Sequence, residues 1–404
     1  MEKYDSDSIF MRIALDYAWK FQTLTLPNPC VGALVVCNNT IIALQAHRKA
    51  GMPHAEVLAC KEAFLYKIKH DEVAKNAILS YCKQKNIENK NPLESIANKL
   101  KDMQDSKEIH DFISTYHNKI FSDCEFFVTL EPCNHYGKTP PCALLLKTIK
   151  PKRIIIAKKD NTPNASGGIN TLNEIMLTNN ILHAEAHKLI FPFLQWQKNN
   201  SFMLFKIAHR LHGEYKDGII SNEDSRIFTH NMRCIADYII ISGATLRLDN
   251  PLLDTRFSLP FYNTGKQPKI LILSKTMQEN ELTNYNIACK DVSIIRCVKE
   301  IPKNGFKIIE GGFTLLQTLL NDITLYDSVK IDCIMGYISP TCSIDKDIKH
   351  IAKSKQSRLN YTLAHTAILS NFWIGQAKQK NNNQKSQNNL DNMIYYLFYN
   401  ENNN

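Results

Sequence analysis

No stretch of the chain is long and apolar enough to cross a bilayer as a helix, which excludes an ordinary transmembrane span. Met1-Glu2-Lys3-Tyr4-Asp5-Ser6-Asp7 lacks the basic start and apolar centre of a secretory signal, so a cytoplasmic protein with no membrane partner is expected. The 12 cysteines follow no regular framework, and a reducing compartment suits them better than a disulfide scaffold. Cys30, Cys37, Cys60, Cys234, Cys297 and Cys333 lie in apolar stretches and read mostly as small core residues. No GxGxxG fingerprint is present, so a Rossmann domain is not supported. The net charge is +10, yet no aromatic-basic alternation or nucleic-acid motif accompanies it. Lysines gather mainly in residues 67–107 and near the C-terminus, interleaved with Glu, Asp and Asn. A nucleic-acid partner is therefore not expected, and a phosphorylated small molecule would suit a mildly positive protein equally well.

With 404 residues, 44% of them hydrophobic, the chain is long enough for two domains that each bury a core. Its most informative feature is His54-Ala55-Glu56, far upstream of Pro132-Cys133 and of Cys142. One imidazole and two thiolates hold zinc while leaving the fourth tetrahedral position open, where a water can be acidified to a pKa of about 7. Glu56 is too close to His54 to be an obvious fourth ligand but is well placed to shuttle protons. That combination marks zinc-dependent nucleobase deaminases, in which the Glu is the general acid/base. A structural zinc in a nucleic-acid-binding protein would need a fourth protein ligand, and neither motif offers one. A second His-x-Glu, His183-Ala184-Glu185, has no cysteine pair in register behind it and reads as the solvated face of a linking helix.

Periodicity predicts a helix over 11–21, strands over 31–36 and 41–46, a helix over 55–65, a strand over 126–130, a helix over 142–149 and a strand over 153–157. Such alternation indicates an α/β domain, with both metal-bearing segments at helix beginnings. Between them, a Lys-, Asn- and Glu-rich insertion of about 67–122 repeats Ile78, Leu79, Tyr81, Cys82, Ile96 and Leu100 at helical spacing. It is expected to be helical and to fall away from every ligand. A second α/β block is expected over 199–375, after a first domain over 1–198. Its strands are placed at 202–208, 235–242, 269–273, 292–297 and 307–309, the last running through Glu310-Gly311-Gly312 into a helix over 313–320. Glycines opening a helix after a strand let backbone N–H groups approach a phosphate. Residues 376–404 form an Asn-rich tail that cannot bury a core, except for the apolar run 393–399, which either docks or is an aggregation liability.

Pro27-Asn28-Pro29-Cys30-Val31-Gly32, Gly51-Met52-Pro53-His54-Ala55-Glu56 and the run from Thr129 through Glu131-Pro132-Cys133-Asn134-His135-Tyr136-Gly137-Lys138-Thr139-Pro140-Pro141 to Cys142 resemble the bifunctional deaminase/reductase family of riboflavin biosynthesis. The eight-residue loop between the cysteines is the specific part. Related tRNA-adenosine and deoxycytidylate deaminases place only two residues there. The resemblance implies a cytidine-deaminase-like α/β/α domain followed by a dihydrofolate-reductase-like α/β domain. It further implies hydrolytic deamination of 2,5-diamino-6-(5-phosphoribosylamino)pyrimidin-4(3H)-one, then NADPH-dependent reduction of the ribosyl arm to ribityl. Glu56 would be the proton shuttle, with zinc on His54, Cys133 and Cys142. Asn28 would touch the pyrimidine, and His135 and Lys138 the phosphoribosyl part. In the second block, Arg233, Leu253, Arg256 and Glu310 map onto substrate positions, and Ala208, Thr245, Asp249 and Gly312 onto cofactor positions. A homo-oligomer is expected.

Where the family usually reads Ser-Leu-Asp-Gly, the chain reads Arg210-Leu211-His212-Gly213, and the loop 214–218 is several residues short. The missing carboxylate keeps open a monofunctional deaminase with a degenerate reductase domain.

Overall fold

The computed structural model describes residues 5–87, 90–137, 139–162, 166–211, 213–215, 220–287, 291–325, 330–339, 361–369 and 393–400. Lys138, His212 and residues 216–218 of the shortened loop lie outside these described residues. The chain divides into two units, Met1–Phe193 and Leu194–Asn404.

The first unit runs α1 (Ser6–Trp19), β1 (Gly32–Cys37), β2 (Thr40–Ala46), α2 (Ala55–His70), α3 (Glu72–Gln84), α4 (Pro92–Asp102), α5 (Ser106–Tyr116) and β3 (Cys124–Val128). It continues through α6 (Cys142–Ile149), β4 (Arg153–Ile156), α7 (Gly168–Thr171), β5 (Met176–Asn179) and α8 (His183–Leu189), and α9 (Phe191–Asn199) crosses into the second unit. Its five-stranded sheet has the order β2-β1-β3-β4-β5, with β1 antiparallel to β2 and β3 and the remaining pairs parallel. Successive residues of a strand face opposite sides. Accordingly Phe127 stacks 5.4 Å from Phe10 of α1, while Phe126 lies 6.1 Å from Phe121, itself 6.4 Å from Phe64 of α2. Helices therefore cover both faces, and the fully buried strand residues read as continuous apolar runs. A side chain on Gly32 would collide with the Ala14 carbonyl and press on Ala18, so α1 crosses β1 at a point where only glycine fits.

The insertion is helical, with Asp71 and Asp105 capping α3 and α5 through backbone amides. It does not fall away from the metal-bearing segments, however. α5 packs on both α2 and α6, with Ile109 and Ile113 fully buried and Phe112 6.3 Å from Phe64. Lys61 of α2 donates to the Lys101 and Met103 carbonyls at 2.9 and 2.6 Å. Apart from the buried Lys67, most of the lysines that made the segment look peripheral are exposed, while its apolar stripe completes the core. The structure also overturns the reading of Cys37 as a plain core residue in a disulfide-free chain. Cys37 and Cys124 face each other in the β1–β3 register, with Cα atoms 4.6 Å apart, and are joined as a disulfide.

The second unit contains β6 (Ser201–Arg210), α10 (Glu223–Ile235), β7 (Tyr238–Ser242), α11 (Gly243–Asp249), β8 (Lys269–Leu273), β9 (Val292–Ile295), β10 (Gly305–Glu310), α12 (Phe313–Leu325), β11 (Cys333–Ser339), β12 (Tyr361–Leu369) and β13 (Met393–Asn400). Its eight-stranded sheet has the order β12-β13-β11-β6-β10-β7-β8-β9, parallel from β11 to β9 and antiparallel at β13 and β12. Ile240 and Leu271 face a core completed by Leu315, Leu316 and Leu319 of α12. Ile239, Ile241, Ile270 and Ile272 face the other, with Leu246 of α11. The strand expected over 235–242 begins only at Tyr238, because the apolar residues before it end α10, which Asn222 caps by accepting from the Ser225 amide. Residues 393–400 add a strand against β11, with Leu397 fully buried.

Candidate active sites

His54 is the N-cap of α2, and Glu56 lies in its first turn. Cys133 follows the end of β3, and Cys142 opens α6. The fold thus brings two helix starts to one end of the sheet. His54 Nδ1 lies 3.5 Å from Cys133 Sγ and 3.4 Å from Cys142 Sγ, and the Cys142 amide donates to Cys133 Sγ at 3.4 Å. All three ligand atoms lie within 4.8 Å of one another. Bond lengths of about 2.3 Å to sulfur and 2.0–2.1 Å to nitrogen, at a tetrahedral angle, require roughly 3.5 Å between nitrogen and sulfur. The cluster fits zinc on that test. Hydrogen bonds from Cys142 and His54 hold the Cys133 thiol well below its ordinary range.

Glu56 is only 3% exposed. Burial raises its carboxyl to about 7, with His54 opposing and Cys133 adding to the effect. A carboxyl poised near neutrality can accept and return a proton in one cycle.

Two contributors escaped the sequence reading. His47, at the end of β2, takes a hydrogen bond from Asn28 Nδ2 at its Nε2 (3.2 Å) and donates from Nδ1 to the Pro53 carbonyl (3.1 Å). Its ring stands 5.3 Å from that of His54, edge to face. It therefore ties Asn28 to the metal-ligating turn, and its only sequence signal is a polar residue closing a buried strand. Glu131, the second, is buried and accepts from the amides of Asp160, Gly167 and Ile169 at 3.0, 3.1 and 2.9 Å. It pins the following loop beneath Pro132-Cys133, and a side chain on Gly168 would collide with the Pro132 carbonyl. His135 is exposed on the loop between the two cysteines. The decoy His183-Ala184-Glu185 behaves as expected: Glu185 pairs with Arg12 at 2.9 Å, and His183 meets Lys158 at 3.2 Å.

In the second unit a buried charge cluster forms on one face of β6 and β10. Glu310 and Lys206 are register partners on these parallel strands. Arg233, on α10, donates from Nε and Nη2 to the two Glu310 oxygens at 2.8 and 2.9 Å, and from Nη1 to the Asp254 carbonyl at 2.9 Å. Lys206 Nζ lies 3.7 Å from Glu310. Burial would raise the Glu310 carboxyl, but Arg233 and Lys206 outweigh it and hold it at about 2. Burial also pushes His230 down to about 4, with Arg233 adding to it. Lys206 was missed, although a single charge inside an otherwise apolar strand was its signal.

The other expected residues are distributed around this cluster. Arg256 is half exposed and pairs with Asp254 at 2.7 Å. Leu253 is buried in the core beside Leu246 and adopts a left-handed backbone (φ 49°), rare for a branched side chain. Ala208 sits on β6 opposite Tyr337. Thr245 lies in the first turn of α11, where its amide donates to the capping Ser242 hydroxyl oxygen at 3.0 Å, and Asp249 ends that helix. Gly312 precedes α12, and a side chain there would run into the ring of Tyr215, whose hydroxyl meets Thr314 at 2.8 Å. Glycine lets that ring close over the turn.

A family model for the zinc-binding region of cytidine and deoxycytidylate deaminases matches residues 4–158. The riboflavin biosynthesis protein RibD of Buchnera aphidicola subsp. Baizongia pistaciae is 29% identical over 379 residues, covering 80% of this chain and 87% of that protein. That of Aquifex aeolicus is 29% identical over 319 residues, covering 77% and 73%. Among solved structures, Acinetobacter baumannii RibD superposes with a TM-score of 0.52 at 21% identity, covering 97% of this chain and 98% of that one. A Thermotoga maritima diaminohydroxyphosphoribosylaminopyrimidine deaminase/5-amino-6-(5-phosphoribosylamino)uracil reductase gives the same TM-score, identity and coverage. These two structures share the fold of this chain over both of its units, and the deaminase zinc-binding family model lies within the first unit. Among the described residues no helix is long and apolar enough to cross a membrane. Over most of its length the chain is similar to the bifunctional deaminase/reductase family of riboflavin biosynthesis, and its first unit matches the deaminase zinc-binding region.

Proposed function

We propose that the two units act in succession on one phosphorylated pyrimidine. The first hydrolyses the 2-amino group of 2,5-diamino-6-(5-phosphoribosylamino)pyrimidin-4(3H)-one, and the second reduces its ribosyl arm to ribityl with NADPH. The observation that carries the reading is the His54, Cys133 and Cys142 triad with a buried Glu56 beside it. His54, Cys133 and Cys142 would hold zinc, which when bound would supply an acidified water for attack on the ring carbon. Glu56 takes the proton at a carboxylate oxygen and passes it towards the leaving amine, so that water and an amino group become a ring carbonyl and ammonia. Asn28, held by His47, orients the pyrimidine, while His135 and Lys138 contact the phosphoribosyl arm.

In the second unit, Ala208, Thr245, Asp249 and Gly312 would hold NADPH, which when bound would supply the hydride. Arg233 is committed to Glu310 and the Asp254 carbonyl, so it shapes the substrate pocket. The exposed Arg256 exchanges its neighbour Asp254 for the substrate phosphate at little cost, because surface pairs contribute about 0–1 kcal/mol. The protein acts in the cytoplasm as a homo-oligomer, which light scattering on the purified chain checks.

Glu56→Gln is the test. Zinc content by metal analysis should stay at that of the wild type while ammonia release falls by roughly 10²–10⁴-fold. Undiminished ammonia release sinks the assignment. An intact, folded chain that binds the deaminated intermediate yet never oxidises NADPH would return the second unit to the monofunctional reading.

A further inference from the structure

The far ends of β1 and β3 carry a second cluster of reactive side chains, at the opposite end of α2 from His54. Cys37 is the last residue of β1 and Cys124 the first of β3, paired in register. Their Cα separation of 4.6 Å lies in the range a disulfide spans without backbone movement. Lys67, in the last turn of α2, is buried and places Nζ 3.8 Å from each sulfur. The same ammonium lies 2.6 Å from Asp123 and 3.1 Å from Asp71. A cation beside both sulfurs favours their thiolates, the species that attack and leave in disulfide exchange.

The cluster is unequal in access. Cys124 is fully buried, whereas Cys37 is 9% exposed and adjoins the exposed turn at Asn38 and Asn39. We propose that Cys37 and Cys124 are a thiol–disulfide exchange site for low-molecular-weight thiols and disulfides, with Lys67 as the cation that receives the released thiolates. In the reducing direction an external thiolate attacks Cys37 Sγ, the sulfur–sulfur bond breaks, and Cys124 leaves as a thiolate beside Lys67. A second external thiolate then attacks the outer sulfur of the mixed disulfide and releases the Cys37 thiolate. Two electrons pass from two external thiolates, which leave as one disulfide, and the protein thiolates take protons from solvent. The oxidising direction is the reverse, with the external disulfide as oxidant.

Asp123 with the two sulfurs is also a possible metal cluster. The ammonium of Lys67 already occupies the cationic place there, and a metal ion beside it would face direct like-charge repulsion.

The bond closes a loop with a sequence separation of 87, which contains α2 and its His54 and Glu56. Loop-closure entropy for that length corresponds to a melting-temperature shift of about 10 °C in a unit of this size. The experiment equilibrates the zinc-loaded full chain in buffers of varied glutathione to glutathione-disulfide ratio. Differential alkylation and peptide mass spectrometry then read the Cys37–Cys124 bond. The bond should form and break reversibly, with the first unit melting about 10 °C lower when reduced, a shift absent in Cys37→Ser. Lys67→Met should slow exchange roughly tenfold or more at neutral pH, and Lys67→Arg should restore most of the rate. If Lys67→Met does not fold, the wild-type titration and its Cys37→Ser control decide alone. A pair that stays in one state across every ratio overturns the proposal, as does exchange at equal rate in a folded Lys67→Met. A second equivalent of zinc that Cys37→Ser removes would overturn it in favour of a metal site.

Discussion

Glu310→Gln keeps the size of the side chain but removes the only carboxylate oxygens that both Arg233 and Lys206 meet among the described contacts. In the native chain, Arg233 reaches both oxygens at 2.8 and 2.9 Å in a bidentate pair, and all three groups are at most sparingly exposed. The amide can accept at one atom, but it turns an NH₂ towards the other guanidinium N–H. Donor then faces donor, and two buried cations lose their counter-charge. Breaking a buried pair while leaving the partner charged costs roughly 3–5 kcal/mol. For a unit of about 150–250 residues, each kcal/mol lowers the melting temperature by about 2–4 °C. The second unit, Leu194–Asn404, should therefore melt roughly 6–20 °C lower in Glu310→Gln. The first unit's transition should stay where it is. Differential scanning calorimetry resolves the two, and NADPH oxidation measured well below the new transition reads the pocket separately. A shift under about 2 °C would show that solvent screens the cluster and that its burial gives no measure of its energetic weight.

The same cluster sets an acid limit. Glu310 is held at about 2 against an ordinary 4.5, so the stability it adds is complete above 4.5 and is lost as pH falls towards 2. Wild type should lose second-unit stability over that interval more steeply than Glu310→Gln, and parallel pH profiles would refute the assignment. Replacing residues 72–116 by a short Gly/Ser linker should yield insoluble or zinc-poor protein, because α5 buries Ile109, Phe112 and Ile113 against α2 and α6. A soluble replacement with full zinc content would return the insertion to the periphery.

What could be read from the sequence was what is local. His54 and Glu56 share one helix turn, and Cys142 opens another, so cap position and spacing placed them before any tertiary information. The strands of the second unit were readable because both of their faces are buried and they appear as apolar runs. The insertion misled for the converse reason. Its composition is dominated by the solvent-facing lysines, and the stripe of Ile78, Ile96, Leu100, Ile109 and Ile113 that anchors it to α2 and α6 is too sparse to show which surface it covers.

Pairings across the sheet escaped altogether. Cys37 faces Cys124 only because β1 and β3 run antiparallel in one register, and a one-residue slip would point the two thiols to opposite faces. Lys206 meets Glu310 for the analogous reason in a parallel pair. Arg233 illustrates the limit most sharply. From sequence it is a cation free to hold a phosphate, whereas α10 delivers it to a carboxylate that burial makes it costly to abandon. Residue type and spacing therefore located the chemistry of the first unit. The division of labour among the charges of the second depends on which of them the fold removes from water. By that criterion Arg256, half exposed and held by the neighbouring Asp254 carboxylate and the Phe257 ring, is the arginine more readily released to an incoming anion.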